Sequence, residues 1–222
     1  MSVSRGRQGP ANAPMAFLSD VHGNLLALES VLHELRQRMI DEIYVAGDLL
    51  LGGDEPVEVF KRLQQAKAQC VKGVSDRALI RVDPESLAPA DEAQVHSAVR
   101  FRRTREAIGE LALKYLEKLP DKIRIPMVDG SEILVVHGSP LDPTTEMSAD
   151  LTDEELERLV DDDPAEIILC GASHVPFSRV LSEHRVVNVG SVGAAPEGRV
   201  AHYTILTPRM DGTLIEQTWV EY

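Results

Sequence analysis

The first third of the chain alternates between short apolar runs and longer amphipathic segments. Largely apolar runs occupy residues 15–18, 42–46 and 68–71, and each ends at polar or glycine residues, which is typical of buried strands. Between these runs, residues 25–39 and 55–66 carry apolar positions at helical spacing. This strand–helix order predicts a parallel sheet with right-handed crossovers, and therefore an α/β fold.

The pattern changes after a long helical segment. Residues 93–118 have a helical composition, as one long or two consecutive helices, and a proline at position 120 ends them. Asp129-Gly130 then indicates a hairpin. Thr152 precedes Glu155 at capping-box spacing, which predicts the start of a short helix. The predicted strands of this half are 123–127, 132–136, 166–170, 178–181, 185–189, 201–206 and 213–220.

The length and composition fit one domain. A chain of 222 residues can bury a substantial core. Residues 1–14 are polar and rich in Gly, Pro, Ser and Arg, which predicts a disordered arm. We expect the domain over residues 15–222, with a helical cap at about 85–120. No apolar stretch approaches the ~18 residues of a membrane span, so we expect no membrane association.

The net charge and the cysteines limit which binding partners and which cellular compartment we expect. A net charge of −13 argues against non-specific binding to nucleic acid, whose phosphates repel an acidic surface. A small phosphorylated substrate remains compatible, because bound divalent cations reverse the local field. Cys70 and Cys170 each end an apolar run and are predicted to be reduced core residues, which favours the cytoplasm. Homo-oligomer formation stays open.

Five chemistry-bearing residues each follow the end of a predicted strand. In open α/β sheets the carboxyl ends of the strands form the ligand-binding edge, so these side chains are expected to converge. A mixture of carboxylates and imidazoles suits a divalent cation such as manganese, iron or zinc. The five residues are Asp20, Asp48, Asp76, His137 and His174.

Short strings around these residues carry a resemblance to a known family. In order they are Asp20-Val21-His22, Gly47-Asp48, Gly73-Val74-Ser75-Asp76, His137-Gly138 and Gly171-Ala172-Ser173-His174. Over roughly residues 15–206 the chain resembles the calcineurin-like metallophosphoesterase superfamily, specifically its small bacterial phosphodiesterase branch. The resemblance implies an α/β fold of the metallophosphoesterase type, an αββα sandwich of two mixed sheets flanked by helices.

The resemblance implies that the first of the family's two metal positions is complete. Its four ligands would be an Asp-x-His pair, a bridging Asp and the last His of the closing string. All four are present in this chain, as Asp20, His22, Asp48 and His174.

The second metal position departs from the family pattern. Asp48 and His137 remain, but Val74 and Ala172 stand where the family has a ligating Asn and a ligating His. Ser75 stands where the family has its proton-donating His, and a hydroxyl is a poor general acid near neutral pH. We therefore expect one divalent ion rather than two, with manganese preferred and iron, zinc, nickel or magnesium as alternatives.

The implied function is a metal-dependent phosphoesterase of altered or weakened activity. It would hydrolyse a phosphodiester or phosphomonoester with metal-activated water. The alternative is a catalytically impaired pseudoenzyme that binds a ligand or a protein partner. The predicted catalytic residues are Asp48, His137 and Asp76, and the predicted substrate-binding residues are Asn24, His137 and Arg105.

Three of these assignments have ordinary alternatives. Asn24 equally fits a turn, and Asp76 a purely structural role. Arg105 belongs to a basic run that is either a solvated helix face or a cap over the site that binds phosphate or a partner. That run is Arg100, Arg102, Arg103 and Arg105.

Overall fold

The computed structural model describes residues 9–222, which form ten strands and five helices. The strands are β1 Met15–Leu18, β2 Glu42–Val45, β3 Gln69–Cys70, β4 Lys122–Pro126, β5 Glu132–Val136, β6 Ile167–Cys170, β7 Phe177–Val180, β8 Arg185–Asn188, β9 Val200–Arg209 and β10 Gly212–Glu221. The helices are α1 Leu25–Gln37, α2 Pro56–Gln65, α3 Val74–Arg81, α4 Glu92–Lys118 and α5 Asp153–Val160. Most of these elements were predicted, with ends that differ by at most three residues.

The strands form two mixed five-stranded sheets. The first has the order β10-β9-β1-β2-β3, in which β1, β2 and β3 are parallel and β9 and β10 are antiparallel additions. The second has the order β4-β5-β6-β8-β7, in which β5, β6 and β8 are parallel. The parallel strands therefore form one side of the first sheet, up to its edge at β3, and the centre of the second sheet. Parallel neighbours require crossover connections.

Alternating side chains divide the apolar residues into three layers of core. In β1, Phe17 faces the space between the sheets, whereas Leu18 faces the helices α1, α2 and α4. In β5, Val135 faces the same inter-sheet core, whereas Val136 packs with residues of α5 on the outer side. The fold is thus an αββα sandwich, which confirms the predicted fold class.

Two helical regions differ from the simplest prediction. The helix α3 was not predicted, and it begins at Val74 with Gly73 as its N-cap. The long helix α4 contains Gly109 at φ 64° and ψ −179°, a conformation outside the helical region, so it is two helices in sequence. The capping box of Thr152 and Glu155 is formed as predicted.

The predicted arm over residues 1–14 lies partly outside the described residues, which begin at position 9. Ala11 is fully buried and bridges to Met127, so at least this part of the segment packs with the domain. In the region of the predicted cap, Ile108 and Leu116 of α4 belong to the main core. Among the described residues, no helix is both long and apolar enough to span a membrane.

Candidate metal centre

The predicted ligands meet in one cleft, at the carboxyl ends of strands from both sheets. Asp20 and His22 follow β1, and Asp48 follows β2. His137 follows β5 and His174 follows β6, so the second sheet supplies two imidazoles. Hydrogen bonds between the loops after β1 and β2 continue the sheet into the site, since Asp20 N donates to Gly47 O and His22 N to Asp48 O, both at 3.0 Å.

The backbone at four of these residues adopts a conformation that L-amino acids rarely use. The φ angles are 54° at Asp20, 49° at His22, 55° at Asp48 and 63° at His174. Left-handed conformations at non-glycine residues cost about 1–3 kcal/mol each and persist only where the surroundings enforce them. Their concentration at the converging ligands indicates a functional site.

Each of the three imidazoles is oriented by a backbone carbonyl. Nδ1 of His22 donates to Leu51 O at 2.7 Å, and Nδ1 of His137 donates to Ala46 O at 2.6 Å. Nδ1 of His174 contacts the carbonyl of Ala194 at 3.1 Å. Because a carbonyl oxygen only accepts, each Nδ1 carries the proton and each Nε2 of a neutral ring presents a lone pair. This second hydrogen bond is typical of histidines that bind metals.

The Nε2 atoms and the carboxylates form two overlapping groups of potential ligands. The first group consists of Asp20, His22 and His174, and the second of Asp20, Asp48 and His137. In the first group the two Nε2 atoms are 3.1 Å apart, and Nε2 of His174 lies 3.4 Å from Oδ1 of Asp20. Two lone pairs at this separation repel unless a proton or a cation lies between them.

The two groups share Asp20, and the carboxylate of Asp48 also lies between their imidazoles. Its Oδ2 lies 3.9 Å from Nε2 of His22, and its Oδ1 lies 3.6 Å from Nε2 of His137. The predicted first metal position and the residual second position are therefore adjacent. That Asp20 also reaches the second group is not visible in the sequence, because it depends on the distance between two sheets.

The residues present fit a divalent cation. Oδ1 of Asp20 is buried and has no hydrogen-bond partner among the described residues, although an unsatisfied buried charge is costly. Oδ2 of the same carboxylate accepts a bond from Ala172 N at 3.1 Å. An ion coordinated by Oδ1 and the neighbouring Nε2 atoms would satisfy this unpaired carboxylate oxygen.

The electrostatics at Asp20 also favour a cation. Burial by itself would raise the pKa of Asp20, but the approach of His174 and the charges of His137 and His22 hold it below its usual value. Conversely, the proximity of Asp20 raises the pKa of His174. The carboxylate is therefore ionised at neutral pH, which leaves a buried negative charge facing the imidazoles.

The three residues that depart from the family pattern contribute no ligand to the second group, as the sequence predicts. Val74 and Ala172 provide no donor side chain to the second group, and Val74 is 43% exposed. Ser75 N donates to Oδ1 of Asp48 at 2.8 Å, whereas Ser75 Oγ is buried without a partner in the described residues. Among side chains of the described chain, the second group is limited to Asp20, Asp48 and His137.

Asp76, predicted as catalytic, instead holds the backbone around Asp48. Its carboxylate is fully buried and accepts bonds from the N–H groups of Asp48, Leu49 and Gly73 at 2.9–3.1 Å. Burial and the nearby charge of Asp48 raise the pKa of Asp76 to about 6. Asp76 is therefore a positioning residue for a ligand, which corresponds to the structural alternative.

The two predicted substrate contacts outside the ligand set differ in position, since Asn24 lines the cleft beside His22 and His174 whereas Arg105 is not among the lining residues. Asn24 caps α1 by accepting from Ala27 N, and its amide donates to Gly193 O and to the Tyr222 hydroxyl. Both of its donor hydrogens are therefore in use. Arg105 is not among the residues that line the cleft, and it donates to carbonyls at the end of α3, including Val82 O at 3.0 Å.

A different arginine lines the cleft. Arg100 borders a cavity of about 310 Å³ together with His22, His174 and the glycines that follow Leu51. The sequence placed Arg100 in the same basic run as Arg105 but gave no reason to prefer it. The direction in which each arginine points depends on how α4 packs, and that information is absent from a local pattern.

Two glycines allow the ligands to approach closely. A Cβ atom at Gly73 would overlap the Asp48 carboxylate, and one at Gly171 would overlap the Ser19 hydroxyl and lie 2.6 Å from Oδ2 of Asp20. Neither position tolerates a side chain without moving a ligand. These glycines belong to the strings quoted from the sequence, and close packing explains their presence there.

Comparisons with known proteins agree with this architecture. The sequence model of the calcineurin-like phosphoesterase superfamily domain matches residues 14–211. An uncharacterized protein of Methanocaldococcus jannaschii is 27% identical over 201 residues, which cover 83% of this chain and 78% of that protein.

Solved structures give the same result. The crystal structure of a hypothetical protein of Pyrococcus horikoshii OT3 is 22% identical with a TM-score of 0.80, covering 94% of this chain and 88% of that one. The crystal structure of a metallophosphoesterase of Sphaerobacter thermophilus is 26% identical with a TM-score of 0.75, covering 96% of this chain and 89% of that one.

Proposed function

This chain belongs to the calcineurin-like phosphoesterase superfamily, a family of phosphate-ester hydrolases, and from that premise we propose a specific activity. We propose that it hydrolyses a small phosphodiester or phosphomonoester with metal-activated water, using one tightly bound ion and at a low basal rate. The observation that carries this proposal is the unpaired Oδ1 of Asp20, surrounded by imidazole Nε2 atoms and a second carboxylate.

The ligand chemistry supports manganese as the preferred ion. The proposed first position combines two carboxylates, Asp20 and Asp48, with two imidazoles, His22 and His174. Mixed oxygen and nitrogen ligands without thiolate suit manganese, and also iron or zinc. Bound there, a divalent ion supplies Lewis-acid polarisation of a phosphoryl oxygen and a nucleophilic water of lowered pKa.

The proposed reaction lacks a strong general acid for the leaving group. Ser75 stands where an imidazole would protonate the leaving oxygen, and its hydroxyl cannot supply that proton readily at neutral pH. Leaving groups of high pKa should therefore depart slowly, and aryl esters should be hydrolysed much faster than alkyl esters. His137 remains beside Asp48, where it would bind a second ion or contact a phosphate oxygen.

Hydrolysis of bis-p-nitrophenyl phosphate with added Mn²⁺ tests the proposal. We expect turnover that depends on Mn²⁺ and that falls roughly 100-fold or more in Asp48→Asn, because a metal site contributes several kcal/mol. Asparagine keeps an oxygen that can accept from Ser75 N, so the loop has a means of staying in place. Asp41→Asn, at an exposed position, is the matched control.

A second candidate function has its own support. Val74 and Ala172 remove two donors and Ser75 removes the acid, a combination that suits a pseudoenzyme binding a ligand or a protein partner in the cleft. Protein that contains no metal by mass spectrometry and shows no turnover with Mn²⁺ would favour this candidate over hydrolysis. Activity that is retained in Asp48→Asn would mean that another site is responsible.

A further inference from the structure

An apolar cavity of about 350 Å³ lies beside the candidate metal centre. This volume is within the range of cavities that bind small molecules, roughly 300–1,000 Å³. Its lining is mainly apolar, and the two polar members are Gln94 and Ser97 of α4. The apolar members are Leu51, Leu87, Ala88, Pro89, Ala98 and Phe101.

Two structural elements connect this cavity to the cleft with the ligands. The loop after β2 places Leu51 in the apolar cavity and the next two residues, Gly52 and Gly53, in the cleft. The carbonyl of Leu51 also accepts the bond from Nδ1 of the ligand His22. On the opposite side, α4 contributes Phe101 to the cavity and Arg100 to the cleft. The cavity and the cleft are therefore neighbours along both walls.

Arg100 lies at the junction and is free to bind an anion. Two other arginines of the basic run are in use, since Arg102 donates to Pro84 O and Leu87 O, and Arg105 to Val82 O. The fourth, Arg103, is exposed and does not line the cleft. Arg100 makes no hydrogen bond or ion pair with residues 9–222, the part of the chain described. A guanidinium group beside a metal centre suits a phosphate oxygen, which it can bind through two parallel hydrogen bonds.

We propose that the apolar cavity receives a ring-sized apolar group of the phosphate ester, while Arg100 binds a phosphate oxygen that does not react. The inference rests on the proposed function for the position of the phosphate at the ligands. It adds that the substrate carries an aromatic or similarly apolar substituent, which the lining of Leu87, Pro89 and Phe101 would bury.

Binding of two phosphonates that cannot be hydrolysed tests this preference without relying on activity. Isothermal titration of the full chain in Mn²⁺ should give a dissociation constant at least about tenfold lower for phenylphosphonate than for methylphosphonate, since a well-matched apolar pocket discriminates by about that factor or more. Equal affinities, or no measurable binding of either compound, would overturn the proposal.

Two substitutions locate the preference within the structure. Ser97→Trp fills the cavity from an exposed position and should remove the advantage of phenylphosphonate, whereas Val99→Trp on the same helix lies outside the lining and should preserve it. Ala88→Trp, exposed on the opposite wall, provides an independent test should the first variant fail to fold. A preference for phenylphosphonate that is unchanged in a folded cavity-filling variant would contradict the assignment.

Arg100 is tested separately from the cavity. Arg100→Met should weaken both phosphonates about tenfold, because it removes a charge-assisted contact to the group they share. Arg103→Met, exposed on the same helix, is the matched control and should change neither affinity. If the wild-type protein prefers phenylphosphonate but hydrolyses no phosphate ester, the proposed function is refuted and this inference is not. Hydrolysis without a phenyl preference would refute this inference alone.

Discussion

His174 and His137 belong to different ligand groups, so replacing them one at a time locates the tightly bound ion. We expect Mn²⁺ to stabilise the wild-type protein and His137→Ala, but not His174→Ala. The reason is that His174 shares its group with His22 and Asp20, whereas the group of His137 lacks the donors that Val74 and Ala172 replace. The difference in melting temperature between samples with Mn²⁺ and samples with a chelator measures this stabilisation.

The magnitude follows from ligand linkage. At a free Mn²⁺ concentration about 100 times the dissociation constant, binding stabilises the folded state by about 2.7 kcal/mol. For a domain of about this size, 1 kcal/mol shifts the melting temperature by about 2–4 °C, so the expected shift is about 5–11 °C. If the loss of His174 weakens binding about 100-fold, about 0.4 kcal/mol remains, which corresponds to about 1–2 °C.

Comparing each variant with itself, with and without metal, removes the effect of the substitution on folding. This matters because the His137 side chain is only 1% exposed and its truncation leaves a cavity, whereas that of His174 is 29% exposed. His33→Ala, at an exposed position in α1, should retain the full shift. A full shift in His174→Ala together with none in His137→Ala would refute our choice of the first group.

Three further predictions concern the second position and the loops around the centre. Restoring the family pattern at the second position should give two manganese ions per chain by mass spectrometry, because the missing ligands return. It should also raise bis-p-nitrophenyl phosphate hydrolysis about 100-fold or more, because the general acid returns. Unchanged activity would mean that the scaffold has also drifted. The restoring substitutions are Val74→Asn, Ser75→His and Ala172→His. Asp76→Ala should lower the free energy of unfolding in urea by about 3 kcal/mol or more, since it leaves three buried N–H groups unpaired. The exposed control Asp211→Ala should change this free energy little. An equal effect of the two substitutions would contradict the positioning role of Asp76. Gly171→Ala should weaken Mn²⁺ binding at least about tenfold by calorimetry, because its Cβ would displace Asp20, whereas Gly198→Ala has open space around it and should leave Mn²⁺ affinity intact.

The elements of the fold were largely predictable because their signals are local. Helical periodicity identified α1, and turn chemistry identified the hairpin at Asp129-Gly130. The capping box at Thr152 fixed the start of α5, because it depends on residues three apart. In contrast, α3 was missed. Its N-cap is Gly73, which has no side chain to signal a helix start, and its Asp76 had been assigned to chemistry.

The order of the site strings by itself identified the candidate ligand residues, since parallel strands place the residues that follow them at one edge. Only the tertiary structure decided how the imidazoles are oriented, because their carbonyl partners are 20 to 91 residues away in sequence. The same holds for the arginines of α4. Their spacing is visible in the sequence, but the packing of α4 placed Arg100 in the cleft and directed Arg105 to the end of α3. Local pattern identifies which groups are available, and the long-range packing of two sheets and a helix determines which of them face one another.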